Sequence, residues 1–339
     1  MKMSKRTLIK SAITLALASS LGLSASVSAQ QNASYIMATA TTGGTFYPVG
    51  VALATLVKVK LEPTAGISLS AISSAGSGEN LKLMDEKQVQ FSILQGLYAG
   101  WAWTGTGDVP KQYENIRSVS MLWENVEHFV LHNRHVTTGT ITDIGEMGNS
   151  GFSIGARNSG TEGSGRHILS AVGIDPDQLN LAYMGYGPSA EAMQNGNIRG
   201  MNIPAGAPAA AVTHAYANMA RDIRVLDFTD AQIAQVNADF ELWNRFVIPA
   251  GTYPGQTQAI NTISQPNILT VNADVPEEHV YQITKAMYEN LPFLNNIHPA
   301  TRDMALEKAI AGLPLPLHPG AARYFAEQGI EIPERLLAD

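Results

Sequence analysis

Apolar and polar positions along this chain change period in a recurring order. The apolar run Tyr35-Ile36-Met37-Ala38 reads as a strand, and after Pro48 the residues Val49, Leu53, Leu56 and Val57 recur at helical spacing. Gly66 to Ile72 alternates apolar and polar for most of its length, a half-buried strand, and Ser73 to Gly78 follows as a small-residue loop. Glu79 to Met84 reads as a short helix, and Val89 to Leu94 as a strand stopping at Gln95-Gly96 before another turn. A second block begins near His128, with a strand at Phe152 to Ala156, a helix through His167 to Val172 and a strand at Leu181 to Met184. A helix at Ala190 to Met193 and a strand from Ile198, closing at Pro204 to Pro208, complete that block. The remainder supplies a strand at Ile268 to Val271, a helix from Glu277 to Asn290 and a last helix led by His318-Pro319-Gly320.

Strand, Gly/Ser loop, helix, strand is the order of βαβ units around a parallel sheet. In such sheets ligands sit at the carboxyl ends of the strands, where the polar loops lie. The segment Thr41-Thr42-Gly43-Gly44-Thr45-Phe46-Tyr47-Pro48 joins a strand to a helix start. Its glycines admit close backbone approach, and Pro48 suits the first helical turn. Free N–H groups, a positive dipole end and threonine hydroxyls there suit an anion. Ser159-Gly160-Thr161-Glu162 opens a later helix in the same way, with Ser159 as N-cap and Glu162 in the capping-box position. Two such starts across a cleft would form a carboxylate site. Arg157 either adds a bidentate contact to that carboxylate or is a surface charge. Glu79, Asn80 and Gln95 sit where strand-end loops meet helices, as braces or as ligand-orienting groups; Tyr47 and Tyr98 are core aromatics or pack on the ligand.

Composition narrows the class. Lys2, Lys5, Arg6 and Lys10 precede the apolar stretch Ala12 to Leu23, which ends at Val27-Ser28-Ala29 before Gln30. This is the pattern of a secretory signal, too short in its apolar part to span a bilayer, with cleavage after Ala29. Its removal takes the formal net charge from −7 to −11, since four positive charges leave. An acidic, exported chain is a poor candidate for nucleic-acid binding. The chain has no cysteine, which excludes disulfides, thiolate metal sites and a cysteine nucleophile. No later run has the apolar length of a membrane helix, so the mature chain is expected in the periplasm or its Gram-positive equivalent.

Other chemistry fares less well. Gly151-Phe152-Ser153-Ile154-Gly155 matches the nucleophile-elbow pattern, yet the apolar strand runs through Ser153 instead of ending before it. A secreted serine hydrolase using Ser153 with His298 or His318 is the alternative from another class. His128, His132 and His135 lack an accompanying carboxylate pattern and read as solvated or hydrogen-bonded histidines, not zinc ligands. No lysine follows a glycine run as a P-loop requires. No metal or other cofactor is called for.

Gly43 to Pro48, Ser77-Gly78-Glu79-Asn80, Gln95, Asn158 to Glu162, Tyr253-Pro254-Gly255-Gln256 and His318-Pro319-Gly320-Ala321 together resemble the motifs of TAXI proteins, across essentially the whole mature chain. These are the solute-binding components of one class of tripartite ATP-independent periplasmic (TRAP) transporters. The resemblance implies a two-lobed α/β periplasmic-binding-protein fold, type II-like, each lobe a mostly parallel sheet flanked by helices. Residues 1–29 would be the signal peptide, 30–126 plus 248–339 the first lobe, and 127–247 the second. The ligand would be a small organic anion such as glutamate, glutamine or 2-oxoglutarate, captured by hinge closure. The partner would be a fused TRAP membrane protein driven by an ion gradient, and the binding protein a monomer without enzymatic activity. A stand-alone sensor or scavenger with the same fold is the remaining alternative. Expected ligand contacts are Gly44, Thr45, Tyr47, Ser77, Asn80 and Gln95 from one lobe, and Arg157, Ser159, Gly160 and Thr161 from the other, with Pro208 shaping the wall. One departure is Arg199-Gly200, where the family commonly has an aspartate; near the cleft it would favour a doubly charged acid, and on the surface it would mean nothing.

Overall fold

The computed structural model describes residues 32–109 and 111–338; the signal-peptide reading lies outside the described residues. The chain opens with β1 (Ala33–Ala38), α1 (Phe46–Lys60), α2 (Glu62–Ala65), β2 (Ile67–Ile72), α3 (Ser77–Asp85), β3 (Phe91–Gln95), α4 (Gly96–Thr104) and β4 (Ile116–Val126). It continues through β5 (Phe129–His132), β6 (Phe152–Ser153), α5 (Gly160–Ala171), β7 (Leu181–Ala182), α6 (Tyr186–Gln194), β8 (Gly200–Asn202), α7 (Ala210–Met219), β9 (Ile223–Val225) and α8 (Asp230–Val236). Last come β10 (Asn244–Ile248), β11 (Ile260–Asn272), α9 (Glu277–Glu289), α10 (Leu291–Asn295) and α11 (Pro319–Glu327).

These strands form two sheets. The six-stranded one runs β10-β11-β3-β1-β2, with β4 also pairing β11, and the five-stranded one runs β7-β6-β8-β5-β9. β1 pairs β2 and β3 in parallel, and β6 pairs β7 and β8 in parallel, as βαβ units require. The sheets are mixed rather than mostly parallel, because β11 runs antiparallel to β3, β4 and β10, and β5 antiparallel to β8 and β9. Long β4 and β11 escaped the sequence reading over most of their length. They are buried on nearly every residue and show no alternation to read.

α4 replaces the turn expected after Gln95-Gly96. Every residue from Gly96 to Ala102 is buried, so the helix has no polar face and no amphipathic period. Around these elements Trp123, Phe91, Phe129 and Phe152 are buried completely, each contributing roughly 2–3 kcal/mol of transfer free energy.

The chain passes from the first sheet to the second at Glu127-His128, both fully buried. His128 Nδ1 lies 2.9 Å from the carbonyl oxygens of Val126 and Ile203, to which it donates. Its Nε2 therefore accepts from the Tyr253 hydroxyl at 2.7 Å, and that hydroxyl accepts the Ala209 N–H at 3.1 Å. Burial holds the imidazole pKa down to about 4, so the ring is neutral and serves as a hinge brace. Tyr253 of the Tyr253-Pro254-Gly255-Gln256 motif thus braces the crossing.

Candidate functional site

Between the two sheets lies a small chamber. Its wall is made chiefly of helix starts. Thr45 and Phe46 begin α1, Gly76 and Ser77 begin α3, Gln95 precedes α4, Ser159, Gly160 and Thr161 begin α5, and Tyr186 begins α6. None of the lining residues carries a charged side chain. The positive dipole ends of several helices therefore converge on one uncharged, hydroxyl-rich chamber.

Local sequence explains why these ends stay open. Thr45, Gly76, Gln95 and Gly185 make no side-chain cap to their helices. The N–H groups of Phe46, Ser77, Gly160 and Thr161 have no protein acceptor among the described residues. Ser159 caps α5 at only one point, its Oγ accepting the Glu162 N–H at 3.1 Å. Ser77 Oγ accepts the Gln95 N–H at 3.1 Å, leaving its own proton free to donate. Gln95 Oε1 is buried without a partner. Tyr186 donates to the Pro204 carbonyl at 2.7 Å and accepts from Thr161 Oγ1 at 2.8 Å. Burial pushes its phenol pKa well up, so it stays neutral.

The two sides of the chamber also touch directly. Tyr98 donates to the Ser159 carbonyl at 3.2 Å, and the Glu79 N–H donates to the Asn158 carbonyl at 3.0 Å. On the opposite rim the Ala211 N–H donates to the Gly43 carbonyl at 3.3 Å. Such approach needs glycine: a Cβ at Gly78 would lie 2.6 Å from the Asn158 carbonyl oxygen, and one at Gly160 2.6 Å from the Gln95 side chain.

Of the expected contacts, Gly44, Thr45, Ser77, Gln95, Ser159, Gly160 and Thr161 line the chamber, and four others do not. Asn80 is spent as a brace: its Nδ2 donates to the Thr39 and Ile93 carbonyls and its Oδ1 accepts from Ser74. Arg157 points outward, its guanidinium 3.7 Å over the Tyr183 ring and its side chain 69% exposed. Tyr47 sits one residue past Phe46, turned by about 100° around the helix, and Phe46 takes the wall position instead. The wall proline is Pro204, not Pro208. Arg199 precedes Gly200, at the opposite end of β8 from Pro204 and roughly 16 Å away at ~3.3 Å per residue, so its charge is remote from the chamber.

Tyr186 was missed. Gly185-Tyr186-Gly187-Pro188 follows a strand end and opens a helix, the same signal that marked Thr45 and Ser159. Phe46, between two expected residues, reads in the sequence only as part of the turn.

The other candidate chemistries find no support in position. Ser153 is buried, bonded to Ser189 Oγ at 2.7 Å, while His298 and His318 cap other segments by accepting the Ala300 and Gly320 N–H groups. No His, Asp and Glu cluster among the described residues could hold a metal.

The profile of the NMT1-like family matches residues 37–329. The chain belongs to the NMT1-like family. Among solved structures, this NMT1-like chain is similar to MatC from Rhodopseudomonas palustris with bound malate, at 13% identity and a TM-score of 0.51, over 87% of this chain and 96% of that one. It also matches the periplasmic aliphatic sulphonate binding protein SsuA from Escherichia coli at 11% identity and a TM-score of 0.44, over 87% and 83% of the two chains. A binding-protein component of an ABC phosphonate transporter from Pseudomonas aeruginosa matches at 8% identity and a TM-score of 0.49, over 78% of each. The NMT1-like chain thus has the two-lobed fold of periplasmic solute-binding proteins.

Proposed function

We propose that this protein is a periplasmic solute-binding protein of the TAXI type that delivers a small organic anion, glutamate, glutamine or a 2-oxoglutarate-like diacid, to the membrane subunit of a TRAP transporter. The observation that carries the reading is the convergence of uncapped helix starts on a cavity without charged side chains. Free N–H groups and hydroxyls solvate a carboxylate, and the dipole ends add to its stabilisation. A neutral wall also lets the ligand leave, since no buried ion pair has to break.

In this reading the lobes are 30–126 plus 248–339 and 127–247, the leader is cleaved after Ala29, and the mature monomer works in the periplasm. The second of these bounds is moved in our reading to just before Asn244, so that 244–247 join the first lobe, since β10 pairs with β11 of the first sheet. Binding would favour the closed arrangement, because each half-site alone covers little of the ligand.

Isothermal titration tests this with glutamate, glutamine, 2-oxoglutarate, malate and other four-carbon diacids. Saturable binding of at least one is expected; silence across the panel would remove the ligand class. Reconstituted uptake with a TRAP membrane subunit separates a transporter component from a stand-alone sensor.

A further inference from the structure

Two helices begin at the seam between the sheets without a cap of their own. The cap position of α3 is Gly76, which has no side chain, and that of α7 is Ala209, whose methyl group accepts nothing. Orphan donors at such ends go to side chains, to water or to neighbouring carbonyls. Here one donor at each end goes to a carbonyl carried by the opposite half of the molecule. The Glu79 N–H of α3 donates to the Asn158 carbonyl at 3.0 Å, and the Ala211 N–H of α7 donates to the Gly43 carbonyl at 3.3 Å. Glu79 and Gly43 belong with the first sheet, Asn158 and Ala211 with the second.

Both accepting carbonyls are aimed by left-handed backbone. Gly43 has φ +91° and Asn158 φ +60°, a region that glycine and asparagine enter most readily. Asn158 is held there by its own helix, where Glu162 Oε2 accepts its N–H at 2.7 Å. The next carbonyl, of Ser159, takes the Tyr98 hydroxyl from the first half at 3.2 Å. Burial, with the Asp108 and Glu162 charges nearby, keeps that phenol protonated and so a donor. Glycine on both faces makes the approach possible, since a Cβ at Gly163 would overlap the Tyr98 hydroxyl and one at Gly78 the Asn158 carbonyl oxygen. None of Gly43, Glu79, Asn158 and Ala211 lines the chamber, so these bonds use no group of its wall.

We propose that closure of the two lobes is an exchange of helix caps, in which Asn158 caps α3 and Gly43 caps α7, so that the protein holds itself closed without a ligand. This rests on the hinge-closure reading above and not on the identity of the guest. Opening hands the Glu79 and Ala211 N–H groups back to water. One cap shifts a two-state equilibrium by about fivefold, and two made in the same movement multiply to about twenty-fivefold. A guest then stabilises an arrangement that is already populated, and its entry and exit wait on transient opening.

Amide hydrogen exchange on the full protein, dialysed free of ligand, tests the proposal. Glu79 and Ala211 should be protected at least tenfold. Asn158→Val puts a β-branched residue where φ is +60° and should lower the Glu79 protection about tenfold. Asn158 is bonded to Glu79 and Glu162 and not to α7, yet Ala211 should lose protection with it, because both caps are made in one movement. Asn158→Gly, which accepts that φ, should keep both. Gln232, capped within its own helix by Thr229, should stay unchanged throughout. Unprotected Glu79 and Ala211 amides in the ligand-free protein would overturn the proposal. A loss confined to Glu79 in Asn158→Val would do the same, since that is local fraying and not opening. Should Asn158→Val fail to fold, ligand-free exchange in the unmodified protein decides alone. These readouts use no ligand, so silence toward the acid panel defeats the anion-binding reading and leaves this one to its own test.

Discussion

At the start of α8, far from the cavity, Thr229 Oγ1 accepts the Gln232 N–H at 3.2 Å while the Gln232 side chain accepts the Thr229 N–H at 2.8 Å. At the start of α3, beside the cavity, the capping position is Gly76, which has no side chain to offer. The same contrast separates α11, capped by His318, from α1 and α6, which have neither a side-chain cap nor an acidic residue in the first turn. The side chains of Thr229 and His318 close the ends of α8 and α11 and put the gain into stability, although α7, α9 and α10, also outside the cavity wall, have no side-chain cap. Cavity helices leave donors free, so the corresponding stabilisation becomes available to a guest. The contrast is between α8 and α11, whose ends are closed by a side chain, and α1, α3 and α6, whose open ends face the cavity.

That division can be broken at several points. The largest effect is expected from Gly78→Ala. Its Cβ would meet the Asn158 carbonyl oxygen at 2.6 Å, a backbone contact that exists only when the lobes meet. Affinity should fall about a thousandfold, or about 4 kcal/mol. The unliganded Tm should hold or rise, because alanine is favoured over glycine in a helix. Titration calorimetry beside a thermal melt reads both, and undiminished affinity would mean that binding does not need this contact.

Glu127→Gln sharpens the account through pH. The folded-state pKa of about 7 lies above the ordinary value of 4.5, so the native state holds the proton more tightly than the unfolded chain. The stability this contributes is complete below about pH 4.5 and is lost as pH rises toward 7. His128 acts in the opposite sense: with its pKa lowered to about 4, it costs stability as pH falls from about 6.5 toward 4. Urea unfolding at pH 5 and pH 7.5 should show the variant gaining on the unmodified protein by up to about 3 kcal/mol as pH rises. A pH-independent difference would show that Glu127 titrates normally.

Ser77→Ala removes the hydroxyl that holds the Gln95 N–H and faces the cavity. A loss of about tenfold in affinity is expected, with little change in fold. Smallest for binding is Thr229→Ala, which should cost about 1 kcal/mol of stability and leave affinity untouched. If instead it weakened binding as much as Ser77→Ala, the separation between peripheral and cavity caps would fail.

Sequence alone made most of this site legible, because strand-end loops of Gly, Ser and Thr before a helical period are a local signal. Thr45, Ser77, Gln95, Ser159 and Thr161 all stand at such junctions and all reach the cavity. Direction was not legible. Asn80 and Tyr47 belong to the right loops, but helical phase turns Asn80 onto the carbonyls of Thr39 and Ile93 and Phe46, not Tyr47, onto the wall. Arg157 suited a carboxylate on charge alone, and a tertiary contact with the Tyr183 ring draws it outward. Glu127 gave no signal at all: its setting arises from β4, β8, β11 and α5 meeting, residues distant in the chain. The fully buried β4 and β11 likewise lack the alternation that reveals a half-exposed strand.

Amide hydrogen exchange, with and without saturating ligand, tests the central claim most directly. Ligand should slow exchange selectively at the N–H groups of Ser77, Gly160 and Thr161, leaving Thr229 and Gln232 unchanged. Protection that spares those three amides while the ligand is bound would contradict the assignment of the helix starts as the anion site.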